Sequence, residues 1–185
     1  AYNRKRSSPF REYNHSPELY FELRPDYALS HDWNLRTVQF GFEHTSNGRS
    51  GSRSRSWNRL FTNLELDQGL HWWSSLRLWS RIPERAKTSP DDAAGDDNPD
   101  IVRFYGNGEL RFGYRGDELQ WNLMGRRNLH SDGRGAWALN VSYPTGFNPK
   151  VRWYLRWFDG YGESLIDYNV RVRRIGFGLM LNDWY

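Results

Sequence analysis

The chain has 185 residues, a length suited to one domain. It carries 10 Trp, 11 Tyr and 10 Phe among mostly polar residues, no Cys, and a formal charge of +4 at pH 7. These numbers exclude a disordered chain, a disulfide framework and thiolate metal sites. With no run of about 18 apolar residues, a transmembrane helix is excluded too.

The cationic excess is almost all arginine, the lysines being Lys5, Lys87 and Lys150. Nucleic acid is one partner such a surplus suits, and anionic lipid headgroups or lipopolysaccharide phosphates are another. Aromatic richness in a polar chain favours the second. A membrane β-barrel turns only alternate residues to lipid and sets aromatic girdles at both interfaces.

In chain order, the start AYNRKRSSPF is polar, with neither a leader sequence nor a strand pattern. Period-two alternation then recurs over about 17–28, 34–46, 57–67, 70–82, 101–115, 118–129, 135–143, 150–159 and 170–182, nine strands in all. In 101–115, Val102, Phe104, Leu110, Phe112 and Tyr114 share one parity, and Arg103, Asn107, Glu109 and Arg111 the other. In 135–143, Trp137, Leu139, Val141 and Tyr143 alternate with Ala136, Ala138, Asn140 and Ser142. Ile175, Phe177, Leu179 and Leu181 line one face of the last segment, and no segment of useful length has helical periodicity.

Short turns at 29–33, 67–69, 115–117 and 144–149 alternate with longer loops at 47–56, 83–100, 130–134 and 160–169. Outer-membrane barrels sort their connections in this way, and the terminal Tyr185 matches their aromatic ends. The pattern predicts a single all-β domain over 1–185, an antiparallel transmembrane β-barrel of outer-membrane type. Such barrels have an even number of strands, and an open sheet leaves bare edges in lipid. Nine strands therefore predict that N-terminal strands precede residue 1. A soluble curved sheet is the plainer alternative.

Parity also marks a site. Val38, Phe40 and Phe42 continue on the same face into His44 and Ser46, and Leu66, Leu64 and Leu60 lead back to Asn58. The two strands are joined by the loop that follows Ser46, so all three polar residues fall at the long-loop end of one hairpin, on its lipid-facing side. A barrel wall has no use for them there, whereas an enzyme drawing substrate from the membrane does. A serine hydroxyl needs an imidazole to take its proton, and the imidazole needs a third group to orient it, a part that an asparagine carbonyl can fill.

These residues resemble a known family, outer membrane phospholipase A, a calcium-dependent barrel enzyme of Gram-negative bacteria. The likeness covers nearly the whole chain and is carried by SSPFRE (7–12), HTSNGRSGSRSRSWNRLF (44–61), DDNPDI (96–101), GYGESLIDYN (160–169) and LNDWY (181–185). The resemblance implies a twelve-stranded barrel of which this chain holds about nine. It implies Ser46 as nucleophile, His44 as general base, Asn58 as its orienting residue and the Gly48 N–H as oxyanion donor. It implies Ca2+ held by the Arg49 carbonyl, the Ser54 hydroxyl and a carbonyl of Ser7 from the partner of a homodimer. Asp97 would serve a second calcium position, but Gly51 stands where the family can have an acidic loop residue.

The resemblance thus implies a phospholipase A1/A2 of the bacterial outer membrane, cleaving phospholipid and lysophospholipid esters with its site toward the outer leaflet, and with no nucleic-acid partner. The rivals are a non-enzymatic barrel, pore or scaffold, and a soluble β protein binding RNA through the Arg-Ser loop. The remaining features read as structural. The acidic stretch 90–100 suits a solvated loop, and Ser164 lacks the second glycine of a nucleophile elbow, Ile166 standing in its place. His15, His31, His71 and His130 lack ligand spacing. Trp72, Trp73, Trp79, Trp153 and Trp157 suit girdles and lumen packing.

Overall fold

Alternation becomes wall. A computed structural model describes residues 10–89, 92 and 95–181. It holds strands β1 (Glu18–Leu23), β2 (Tyr27–Ala28), β3 (Trp33–Ser46), β4 (Ser56–Gln68), β5 (Trp72–Ile82), β6 (Gly108–Arg115), β7 (Gln120–Arg127), β8 (Gly135–Pro144), β9 (Val151–Gly160) and β10 (Val172–Leu181). They form one antiparallel sheet in the order β1-β3-β4-β5-β6-β7-β8-β9-β10, with β2 beside β3. Among the described residues the sheet is open, since β1 pairs only with β3 and β10 only with β9. Among the described residues no helix is long and apolar enough to cross a membrane, which says nothing about strands that cross. Ser7 and Tyr185 lie outside the described residues.

Two expected strands take another form. The segment 17–28 splits into β1 and β2, so the described residues hold ten strands where nine are expected. Pro25 cannot donate a ladder bond, and Asp26 adopts a positive φ of 43°, so the run breaks between Leu23 and Tyr27. The segment 101–115 opens as a helix, α1 (Ile101–Tyr105), before β6 begins. Ile101 and Phe104, three apart, are its buried face. Pro99 precedes it, and Gly106 ends it at φ 71°, a conformation that suits glycine. Val102 and Phe104 satisfied the strand period only because two turning points within a short run fit either period.

The two faces are as the alternation requires. Phe40, Leu60, Leu110, Trp137 and Phe177 are exposed on the outer side, while Glu43, Asn63, Ser142 and Arg152 are buried on the inner side. Glu43 is compensated there by Arg59 at 2.6 and 2.8 Å and by Arg77 at 2.8 Å, the pairing that a buried carboxylate demands. Near the short turns, Trp72 stacks on Phe112 with ring centroids 5.4 Å apart and meets Tyr114 and Trp121 edge-on. Trp153 stacks on Phe177 at 5.4 Å. These rings form the girdle, whereas Trp79 packs inward.

At the long-loop end, α1 and the segment after β9 fold back against the wall. Ile101, Phe104, Leu165 and Tyr168 pack with Trp57, Phe61 and Trp79 into the main apolar cluster. The connections sort by length as expected, with 69–71, 116–119 and 145–150 on one end and 47–55, 83–107, 128–134 and 161–171 on the other.

Candidate active site

The β3–β4 hairpin carries the site. Its register sets His44 opposite Asn58, Thr45 opposite Trp57 and Ser46 opposite Ser56. A register shift between Leu35 and Thr37 ends well before the site, and from Thr37 to Ser46 the pairing is continuous. His44 and Ser46 therefore extend the outward row of Phe40 and Phe42, and Glu43 between them turns into the lumen. A slip of one residue would reverse all of these faces.

His44 Nδ1 lies 2.8 Å from Asn58 Oδ1. A carbonyl oxygen only accepts, so the bond requires the proton on Nδ1 and leaves the Nε2 lone pair free. Ser46 stands two residues further along the same face, half-buried like His44. The opposite end of the Asn58 amide is also engaged, Nδ2 donating to Glu84 Oε1 at 2.8 Å. The sequence reading missed Glu84. It follows Pro83 in the loop after β5, and its relation to Asn58 arises from the pairing of Asn58 with Ile82.

Segment 10–16 was missed as well, because it has no strand period. The His15 N–H donates to the Ser46 carbonyl at 2.8 Å, and the Ser46 N–H donates to the His15 carbonyl at 2.9 Å. Ser46 is thereby held between two backbone partners. Glu12 accepts from the Leu165 and Ile166 N–H groups at 3.2 and 2.8 Å, and the Arg11 guanidinium pairs with Asp167. This segment thus ties the β3–β4 loop to the β9–β10 loop.

The loop 47–55 is organised from within. Asn47 is fully buried, and its Oδ1 accepts from the Arg49 and Arg55 N–H groups at 3.2 and 3.0 Å while Nδ2 donates to the Arg53 carbonyl at 2.9 Å. Gly48 sits at φ 60°, and a Cβ there would lie 3.3 Å from the Tyr13 carbonyl. The arginines of the Arg-Ser run are used inside the protein: Arg49 donates to the Phe10 and Arg11 carbonyls, and Arg55 to those of Ser52 and Ser54. Gly51 opens a 3-10 turn over Gly51–Arg53, and Ser54 follows it with its hydroxyl donating to Asp97.

Among the described residues of the acidic stretch, the carboxylates at 96, 97 and 100 are paired within the protein. Asp96 pairs with Arg81 at 2.6 Å, Asp97 pairs with Lys87, and Asp100 accepts from the Tyr168 hydroxyl. The side chains of Asp96 and Asp97 are each 8% exposed, because both fold back under the mouth of the wall. Burial pushes the Tyr168 hydroxyl well above its usual range, as does its hydrogen bond to Asp100, and burial likewise raises Tyr105. Both remain neutral donors.

For a hard cation, the donor set at this loop fits by chemistry: the Arg49 carbonyl and the Ser54 hydroxyl are oxygen ligands of the kind calcium takes. No group of three His, Cys, Asp or Glu gathers into a metal cluster among the described residues. Asp97 fits a second cation less well, its carboxylate being shared between the Lys87 ammonium and the Ser54 hydroxyl. Ser7 lies outside the described residues.

An antiparallel wall, apolar outside and polar within, with serine, histidine and asparagine on its outer rim, places the chain in the class of outer-membrane β-barrel walls. Comparison with known proteins narrows the class. The phospholipase A1 family model matches residues 1–181. Phospholipase A1 of Salmonella typhimurium is 41% identical over 98% of this chain, and that of Escherichia coli K12 is 40% identical over 99%. Outer membrane phospholipase A from Escherichia coli superposes with a TM-score of 0.81 at 40% identity, covering 95% of this chain and 62% of that one. A calcium-bound dimer of the Salmonella typhi outer membrane phospholipase gives 0.81 at 42% identity, covering 98% and 65%. The chain belongs to the phospholipase A1 family. It spans 57–58% of the length of these two curated relatives.

Proposed function

We propose that the protein is a calcium-dependent serine hydrolase of the bacterial outer membrane that cleaves acyl esters of phospholipids and lysophospholipids, its site toward the outer leaflet. The observation that carries this is the 2.8 Å contact of His44 Nδ1 with Asn58 Oδ1, on the outer face and one alternation from Ser46. His44 Nε2 takes the proton as Ser46 Oγ attacks the ester carbonyl carbon. The carbonyl oxygen becomes an oxyanion within reach of the Gly48 N–H. As the intermediate collapses, His44 returns the proton to the departing lysolipid oxygen. Water, its proton taken by His44, then attacks the acyl-Ser46 ester, and His44 returns that proton to Ser46 Oγ as the acyl C–O bond breaks and the fatty acid leaves.

The Arg49 carbonyl, the Ser54 hydroxyl and Ser7 of the partner subunit would hold calcium, which supplies positive charge and a polarised water at the oxyanion when bound. A ligand from the partner makes the homodimer the active form, and the dimer bound to calcium in the Salmonella typhi relative supports that arrangement. The apolar cluster at the mouth argues against an open pore, and the internal use of Arg49 and Arg55 argues against an RNA-binding tract.

Fatty-acid release from phospholipid micelles, with calcium and with chelator, tests the reading. Ser46→Ala is expected to lower release by at least about 10³-fold, and chelation to abolish it in the native protein. Undiminished release by Ser46→Ala would sink the proposal.

A further inference from the structure

We propose that Glu84 is a positioning residue of the site, the carboxylate that selects the working tautomer of His44 through Asn58. The proposal rests on the serine-hydrolase reading and extends it to a residue outside the three. An asparagine can meet a histidine ring nitrogen in two ways. With Oδ1 toward the ring, the amide accepts from Nδ1–H and leaves Nε2 free to take the serine proton. With Nδ2 toward the ring, it donates to Nδ1, the proton moves to Nε2, and His44 cannot act as base. The two amide orientations have nearly the same shape, so packing does not choose between them. The partner at the far end does.

That partner is Glu84, with Oε1 2.8 Å from Asn58 Nδ2. An ionised carboxylate has no proton to donate, so only the NH2 end of Asn58 can face it. Oδ1 is then obliged to face His44, as the 2.8 Å contact with Nδ1 requires. Glu84 is half-buried in the loop after β5, where the pairing of Asn58 with Ile82 delivers it. Its charge has a second consequence. Asn58 is neutral, and the imidazolium formed when Ser46 loses its proton has no acid in direct contact. The negative charge of Glu84, one amide away, supplies the missing counter-ion, and the amide polarises toward it.

The test uses the full-length protein in detergent micelles with 15N-labelled histidine, as native sequence, Glu84→Gln, Glu84→Leu and Ser46→Ala. Heat-modifiable electrophoretic mobility reports the folding of each. Gln can still present a carbonyl to Asn58 Nδ2 but carries no charge; Leu offers no acceptor. Glu84→Leu is expected to lower kcat about 30–100-fold at unchanged KM, and to erase the uniform Nδ1–H signature of His44. Glu84→Gln is expected to restore that signature and to leave a deficit of about 3–10-fold in kcat, again at unchanged KM.

Native kcat and an unaltered His44 spectrum in Glu84→Leu would overturn the proposal, as would a loss in Glu84→Leu that Gln fails to recover. If the Leu variant does not fold, Glu84→Gln decides: native kcat there removes the counter-ion role. Ser46→Ala separates the two levels. Release that survives Ser46→Ala undoes the hydrolase reading, whereas loss in Ser46→Ala beside a native Glu84→Leu undoes only the assignment of Glu84.

Discussion

Buried asparagines tie the long loops together. In the proposed site, Asn58 meets His44 with a neutral amide, so no charged group touches the imidazole directly on the outer face. Asn47, Asn98 and Asn128 are buried in the long loops: Asn47 and Asn128 accept backbone N–H groups of the loops they open, and Asn98 accepts the Ser56 N–H at the start of β4. An amide suits this task because it accepts and donates at once while staying neutral. Asn47→Ala removes two accepted bonds and one donated bond, and takes the acceptor from the Arg49 and Arg55 N–H groups. It is expected to destabilise the fold by about 2–3 kcal/mol and to lower fatty-acid release, both read from denaturant titrations and assays on one preparation. Wild-type midpoint and turnover in Asn47→Ala would remove it as the loop's organiser.

Among the elements, the β3–β4 hairpin and the loop-helix segment after β5 divide the work. The hairpin fixes side-chain direction, since its continuous register from Thr37 to Ser46 holds His44 and Asn58 as direct cross-strand partners. The β5–β6 connection fills the mouth from inside, with α1 packing Ile101 and Phe104 beneath Trp57 and Trp79. Gly106 makes that return possible. It sits at φ 71°, and a Cβ built on it would lie 2.4 Å from the Arg127 carbonyl oxygen. Gly106→Ala must strain the backbone and push β7 away, at an expected loss of about 1–3 kcal/mol. The outcome is read as a lower unfolding midpoint with the outer-face residues unperturbed. A midpoint equal to the native one would show that the helix and β7 are not packed as described.

For the whole molecule, the decisive feature is a sheet with its polar face inward. A soluble sheet in this orientation would expose Phe40, Leu60, Leu110, Ile175 and Phe177 to water, a far larger apolar surface than solution tolerates. Lipid removes the difficulty. Phe40, at 50% exposure near the middle of β3, gives the test. Phe40→Arg is expected to lose about 2–4 kcal/mol of folding stability in phospholipid vesicles, while Phe40→Leu stays near neutral. Folding free energies in vesicles measure both. An arginine tolerated at Phe40 would return the soluble curved sheet to consideration.

Local residue pattern is enough to give the wall and most of the rim. Period-two alternation survives any tertiary arrangement, because side chains alternate along a strand whatever it pairs with. That is why the faces of β3 to β10, the short and long connections and the shared face of His44, Ser46 and Asn58 were all legible. Composition excluded the helical membrane span, and the motif blocks pointed to the family. Where local period is ambiguous, the sequence misled: 101–105 satisfied a strand rule and formed a helix, and 17–28 broke at Pro25 and Asp26. The rest comes from long-range contacts. Glu84 reaches Asn58, His15 brackets Ser46, and Asp97 meets Lys87 and Ser54 through contacts between segments distant in the chain. Such contacts depend on how loops fold back over the wall, and no local pattern of residues encodes that path.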